Sequence, residues 1–340
     1  MNAQELSWYA LWGAAALYAI AMVVSSIHLS RVADAKAAAK GKVPAAVGAA
    51  RSREGSAPVS SASAAVPPAV RSQATGIARS TTLVGAILNG VGVAARGVEA
   101  GHAPWSTMYE YTITGSFVAA VVFLIVQSRR DVSYLAPGVT GFATIALGIG
   151  LTTLYQESTG LQPALQSFWL VIHVSIAIIS TGVFIVAAVA TVLQLMRDYR
   201  GEELAVVAEA RHAAARLVRR WRNANVGTLK RWKWLEGVPE PATLEALAFR
   251  LHAVGFVLWT FTVMAGAVWA EHAWGRYWGW DPKEVWSFVI WVIYAAYLHA
   301  RTTQGWAGRR SAVLALAGFV ALIMNFTVVN LYFQGMHTYA

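Results

Sequence analysis

No cysteine occurs among the 340 residues of this chain, and that absence removes several chemistries at once. A disulfide framework, a thiolate metal site and a cysteine nucleophile are all excluded. Charge is also scarce: 13% of residues are Asp, Glu, Lys or Arg, against 57% hydrophobic. Acidic residues are the scarcer sign, 17 against 27 basic, and no acid–base dyad is evident. What the chain has in abundance is apolar length. A mean hydropathy of +0.49 places it among integral membrane proteins.

Crossing a hydrocarbon core of ~30 Å takes ~20 apolar residues in a helix. Such runs fall near 7–28, 80–96, 109–128, 133–152, 167–196, 244–269, 282–301 and 311–333. The expected fold is all-α and polytopic, with about eight transmembrane helices. The second run is the least hydrophobic, because Gly85, Asn89, Gly90 and Gly92 interrupt it. The net charge of +10 does not signal nucleic acid, because its distribution is topological. Basic residues crowd into alternate connections: Arg31 to Arg79, Arg129–Arg130, Arg197 to Lys233, and Arg301 to Arg310. The intervening connections, around 97–108, 153–166, 270–281 and 334–340, carry almost none. Under the positive-inside rule both termini lie outside, as does the connection between the sixth and seventh spans. Met1 to Trp8 contains Glu5 and no positive charge, so the first span reads as retained, not as a cleaved secretory signal.

Residues 29–79 are rich in Ala, Ser, Pro, Lys and Arg and predict a flexible cytoplasmic linker. It would join an N-terminal transmembrane helix, 1–28, to a seven-helix core, 80–340. A second cytoplasmic piece, 197–243, sets Leu204, Val207, Ala208, Leu217 and Val218 among Arg211, Arg216, Arg219, Arg220 and Arg222. It reads either as a basic amphipathic helix on anionic lipid or as an extension of the fifth span.

The external stretch 269–291 contains Trp269, Trp274, Trp278, Trp280, Trp286 and Trp291. Interfacial indoles at headgroup level explain two or three of these. Trp274, Trp278 and Trp280, in a short Gly-containing connection, exceed that need and suggest a platform for a large planar ligand. The platform ends at a helix start: Asp281 as N-cap, Pro282 at the first position and Glu284 as in a capping box. Capping is the first role of Asp281, and ligand contact a secondary one.

Ionisable groups in membrane spans default to functional hypotheses. Pro282 and His299 are 17 residues apart (299 − 282), about 25 Å of helix at ~1.5 Å per residue. His299 therefore lies near the inner face, and His28 shares that depth. His173 starts the fifth span on the outer side, and His337 follows the eighth. Trp169 shares a helix face with His173. Each histidine alone fits a packing role, as His252 and His272 do. Beside a tryptophan platform, however, His173 and His337 together point to haem iron held by two imidazoles. His102 faces outside and is ambiguous, and His212 reads as solvated. A haem spans about half a bilayer and cannot touch His299 and the platform together, so two sites at opposite depths imply transfer.

WGRYWGWDPKE (Trp274 to Glu284) resembles the tryptophan-rich "WWD" signature of haem-handling proteins. GHAPWSTMYE (Gly101 to Glu110), PALQSFWLVIHV (Pro163 to Val174), YLHAR (Tyr297 to Arg301) and GMHTYA (Gly335 to Ala340) resemble segments of the CcsA, or ResC, family. The resemblance covers about residues 80–340. It implies haem export across a bacterial plasma membrane and presentation to apocytochrome c, whose CxxCH motif then forms thioether bonds. It further implies haem b as substrate, with His173 and His337 as its external ligands and Trp274, Trp278, Trp280, Asp281 and Trp169 around it. His299 corresponds to a ligand of an intramembrane haem. The other ligand there comes from a CcsB/ResB-type partner in the family, with His28 as a rival candidate. Other readings of the same residues are a haem transporter or chaperone without catalysis, a cytochrome b-like electron-transfer subunit, and a lipid-linked sugar carrier.

Overall fold

A computed structural model describes residues 2–41, 68–158, 160–161, 165–209 and 232–337. All regular structure among them is helical. Eight long helices carry the fold: α1 (Ala3–Gly41), α2 (Pro68–Ala100), α3 (Met108–Arg129), α4 (Ala136–Thr152), α5 (Phe168–Glu209), α6 (Pro241–Trp274), α7 (Pro282–Thr303) and α8 (Arg309–Met324). A π-helical turn, Asn325–Val329, and a short α-turn, Asn330–Tyr332, prolong α8. Seven of the eight are long and apolar enough to cross a membrane. The exception is α7, whose 22 residues suffice in length but are more polar.

The expected helix positions hold, but several ends move outward. The linker expected at 29–79 is narrower than its composition suggested. α1 continues to Gly41 and α2 already starts at Pro68, while residues 42–67 lie outside the described residues. The reason is packing: Leu29 and Ala33 are buried, and Leu29 joins a core cluster with Leu235 of the 3-10 turn Trp232–Gly237. The segment 197–243 also divides. Leu204, Val207 and Ala208 continue α5, whereas Leu217, Val218, His212 and the arginines from 211 to 222 lie outside the described residues.

Three apolar clusters organise the bundle. One joins α1, α2, α3 and α4 through Leu11, Tyr18, Ile113 and Leu147. A second joins α5, α6, α7 and α8 through Phe184, Trp259, Tyr294 and Leu322. A third, around Val132, Leu135, Val186 and Leu244, closes the end where the basic residues gather. At the other end, two turns set the tryptophan connection. α6 stops at Gly275, whose φ of 70° is the left-handed conformation a glycine C-cap supplies. α7 starts at Asp281 with the expected capping box and Pro282 in its first turn.

Candidate haem-binding site

His173 and His337 line one cavity at the tryptophan-bearing end, together with Trp105, Tyr111, Trp269 and Trp278. Its empty volume, mouth included, is about 1650 Å³. The enclosed part is about 260 Å³, below the ~300–1,000 Å³ usual for small-molecule sites, so a macrocycle seated here would occupy the open mouth as well.

Each histidine has one ring nitrogen committed. His173 Nδ1 lies 2.9 Å from the carbonyl of Thr262 on α6. His337 Nδ1 lies 2.8 Å from Asp281 Oδ1. A carbonyl or carboxylate at Nδ1 places the proton there and leaves Nε2 with its lone pair, which is how metal-ligating imidazoles are prepared. Gly266 makes the first contact possible, since a Cβ there would come within 2.7 Å of His173 Cε1.

Trp269 joins the two histidines. It is 1% exposed, lies parallel to the His173 ring at 5.9 Å and meets the His337 ring edge-on at 5.4 Å. Trp274 packs edge-on against both Trp269 (4.7 Å) and His337 (4.8 Å). The indoles thus fix the imidazole planes.

Asp281 has a double role. Its Oδ1 accepts from the Lys283 N–H at 3.0 Å and from His337, while Oδ2 accepts from the Met336 N–H. Burial pushes this carboxyl up, but the hydrogen bonds from His337, Lys283 and Met336 outweigh it and hold the group below the usual carboxylate value. The helix cap and the orientation of His337 therefore depend on one ionised side chain.

Glu284 shapes the platform. Its Oε2 accepts from the N–H groups of both Gly279 (2.8 Å) and Asp281 (3.1 Å), bracketing Trp280. Trp280 has a φ of 60°, an uncommon conformation for a bulky residue and one that costs ~1–3 kcal/mol. Its indole is 77% exposed and meets Trp278 edge-on at 6.0 Å. Strain therefore holds an indole out of the fold, beside the cavity and not within it.

A buried ion network supports the opposite wall. Arg96 is 1% exposed and bonds to Glu110 Oε1 at 3.0 Å, to the Gln156 carbonyl at 3.0 Å and to Glu99 at 3.4 Å. Glu110 Oε2 in turn accepts from Ser106 Oγ (2.8 Å) and N–H (3.0 Å). This ties down the loop that carries Trp105 to the cavity wall. Arg96 is thus an exception to the charge-poor connection at this end, neutralised by burial beside two carboxylates.

Among the expected site residues, the structure brings His173, His337 and Trp278 to the cavity, with Trp274 and Asp281 against His337. Trp169 instead packs with Leu165, Leu170 and Trp269, 6.1 Å from the His272 ring. His102 stands apart, its Nδ1 3.0 Å from the Ala103 carbonyl. His299 is exposed near the opposite end of α7, with Thr303 Oγ1 3.5 Å from its Nδ1. His28 is buried on α1, 3.2 Å from Thr75 Oγ1, in a hollow with Asp131 and Tyr134. α1 packs on α2 and α4, whereas α7 packs on α8 and α6, so the fold does not bring His28 to His299. His252 is a core residue, as expected, between Phe184, Tyr294 and Tyr297, with Thr191 Oγ1 at 3.1 Å.

Sequence reasoning passed over Tyr111, Trp259 and Lys283, which also line the cavity. Tyr111 and Trp259 carried no signal beyond apolar helix. Lys283 did: a cation in the first turn of a helix opposes the helix dipole, so something must compensate it.

The family profile for "Cytochrome C assembly protein" matches residues 105–337, most of the chain. The cytochrome c biogenesis protein CcsA of Parasynechococcus marenigrum is 35% identical over 275 residues, which cover 80% of this chain and 89% of that protein. CcsA of Microcystis aeruginosa is 35% identical over 292 residues, covering 78% and 86%. In overall shape the chain is similar to a solved cytochrome c haem lyase, CcmF, with a TM-score of 0.59 at 13% identity. That similarity covers 96% of this chain and 47% of CcmF, and shows a shared fold. By profile and by identity over most of its length, the chain belongs to the cytochrome c assembly protein family.

Proposed function

We propose that the protein matures c-type cytochromes by moving haem b outward across a bacterial plasma membrane and presenting it to apocytochrome c. One observation carries this reading: His173 and His337 line a single cavity, each with Nδ1 engaged and Nε2 left for iron. In the proposed complex the two imidazoles hold haem iron six-coordinate, with Trp269 and Trp274 fixing their planes and Trp278 covering the macrocycle. The family membership and the relatives named for cytochrome c biogenesis support the same reading.

The reaction asks little acid–base chemistry of the protein. Each cysteine thiol of a CxxCH segment adds across a haem vinyl double bond, its sulfur bonding to one carbon and its proton going to the other. The substrate's histidine replaces one protein imidazole at the iron. Holding the vinyl edge still beside an exposed indole surface supplies proximity and orientation, which account for most of the acceleration. Asp281, Glu284 and Arg96 keep the walls in place.

His299 belongs to the departure end of the path. It is exposed, and no second histidine of the described residues stands beside it, which supports a ligand supplied by a CcsB/ResB-type membrane partner. The basic residues at that end support its placement on the cytoplasmic side, with the tryptophan segment extracytoplasmic. The test combines purified protein, its partner, reduced haem and a CxxCH peptide. Covalent haem–peptide product is the expected result. Haem movement without product under every reducing condition would leave a transporter only.

A further inference from the structure

The same cavity holds a cation that iron ligation does not use. Lys283 lines it, and the Lys283 ammonium is held 3.2 Å from the Asn325 carbonyl and against Asn330 Oδ1. Both partners are neutral oxygens, and both belong to the end of α8 where the chain passes through a π-helical turn. That turn opens the helical ladder and frees a carbonyl to face a side chain, a distortion that recurs at functional sites. An ammonium has three donors, and two are accounted for. Among the described residues no carboxylate lies within ion-pair distance of it. The neighbouring acids are already engaged: Glu284 with the Gly279 and Asp281 N–H groups, and Asp281, which attracts Lys283 from beyond ion-pair distance, with His337 and two backbone N–H groups. A further polar group at the same turn also lacks a protein partner: Asn325 is 5% exposed and lines the cavity, and its Oδ1 makes no hydrogen bond.

A lysine in the first turn of a helix works against the helix dipole, and a desolvated cation with no carboxylate in contact is costly. Both costs fall if an anion enters the cavity. Resting on the haem reading of this site, we infer that Lys283 binds a carboxylate of the incoming tetrapyrrole, with the Asn325–Asn330 turn as its holder. Protoporphyrin carries its propionates and its vinyl groups on opposite edges. Fixing a propionate at Lys283 therefore decides which edge faces away from the turn and is offered to the substrate thiols. The histidines set the position of the iron; Lys283 sets the rotation of the ring about it.

The test compares iron protoporphyrin IX with its dimethyl ester, titrated into the purified full chain and followed by the bis-imidazole absorption spectrum. The diester keeps the ring, the iron and the vinyl groups and loses only the carboxylates. The expected result is binding of the free acid about tenfold or more tighter than the ester, the usual scale of a charge-assisted hydrogen bond. Lys283→Met should bind both compounds equally, at the ester's level, with the spectrum unchanged, and Lys283→Arg should keep the preference. Equal affinities in the unmodified protein, or a preference that survives Lys283→Met, would overturn the inference. The unmodified protein alone decides the matter if the Met variant does not fold. A bis-imidazole spectrum with equal affinities sinks only the lysine assignment. Failure of both compounds to give that spectrum sinks the haem site with it.

Discussion

The two ends of the bundle treat their histidines in opposite ways. At the tryptophan-bearing end, His173 and His337 come from elements 164 residues apart (337 − 173) and meet the same indole, Trp269. Each has its Nδ1 proton placed by a fixed acceptor. At the basic end, His299 lies exposed and His28 lies buried on another helix, and neither is oriented towards the other. One end carries two oriented imidazoles at one cavity, and the other carries two imidazoles that the fold keeps apart. The difference teaches what internal support does: His173 and His337 are held in place by hydrogen bonds within the chain, whereas under the proposed function the exposed His299 draws its second ligand from a partner.

Substitutions can break this contrast. The largest effect is expected for His173→Ala and His337→Ala, each of which should reduce cytochrome c maturation to background. Exogenous imidazole should restore part of it by filling the vacated coordination position. Normal maturation in both variants would remove them as ligands. Asp281→Asn should follow, because losing the partner of a ligating histidine costs ~10–100-fold in affinity. Haem titration of the purified variant measures this, and an affinity within twofold of the unmodified protein would count against the Asp281–His337 coupling.

His299→Ala should act only in the company of the partner. Haem copurifying with the two-chain complex should fall severalfold, while the bis-imidazole signal of the isolated chain stays unchanged. Loss of that signal in the isolated chain would merge two sites proposed to be separate. Trp280→Gly should raise thermal stability by ~1 kcal/mol through relief of its positive φ. Transfer to apocytochrome should nevertheless slow, and an unchanged transfer rate would strip Trp280 of its role. The smallest effect is expected for His28→Ala, which should leave haem content as it is both alone and in complex. A clear loss there would restore His28 as an intramembrane ligand.

The fold was legible wherever hydrophobic length decides structure. The helix positions and the cap at Asp281 follow from local chemistry, and each is found; the sixth span, expected to end at 269, runs on to Trp274. The linker was misjudged because its composition is that of unfolded chain, while Leu29 buries itself against a turn about 200 residues away. His173, His337 and Trp278 stood out from residue type and depth. Trp169 did not belong with them: sharing a helix face with His173 says nothing of which neighbour that face meets. Trp269 looked like one interfacial indole of six, and only packing makes it the indole that touches both His173 and His337.

By itself the sequence determined that this chain is a helical membrane protein with its charges sorted by side and an excess of indoles at one end. Those properties are local, set by apolar run length and by the position of each charge along the chain. Only the tertiary structure decided which histidines share a cavity, which indole touches both, and that Lys283 lines the same space. Pairing is a matter of contacts between residues far apart in the chain, and no periodicity in the sequence encodes them.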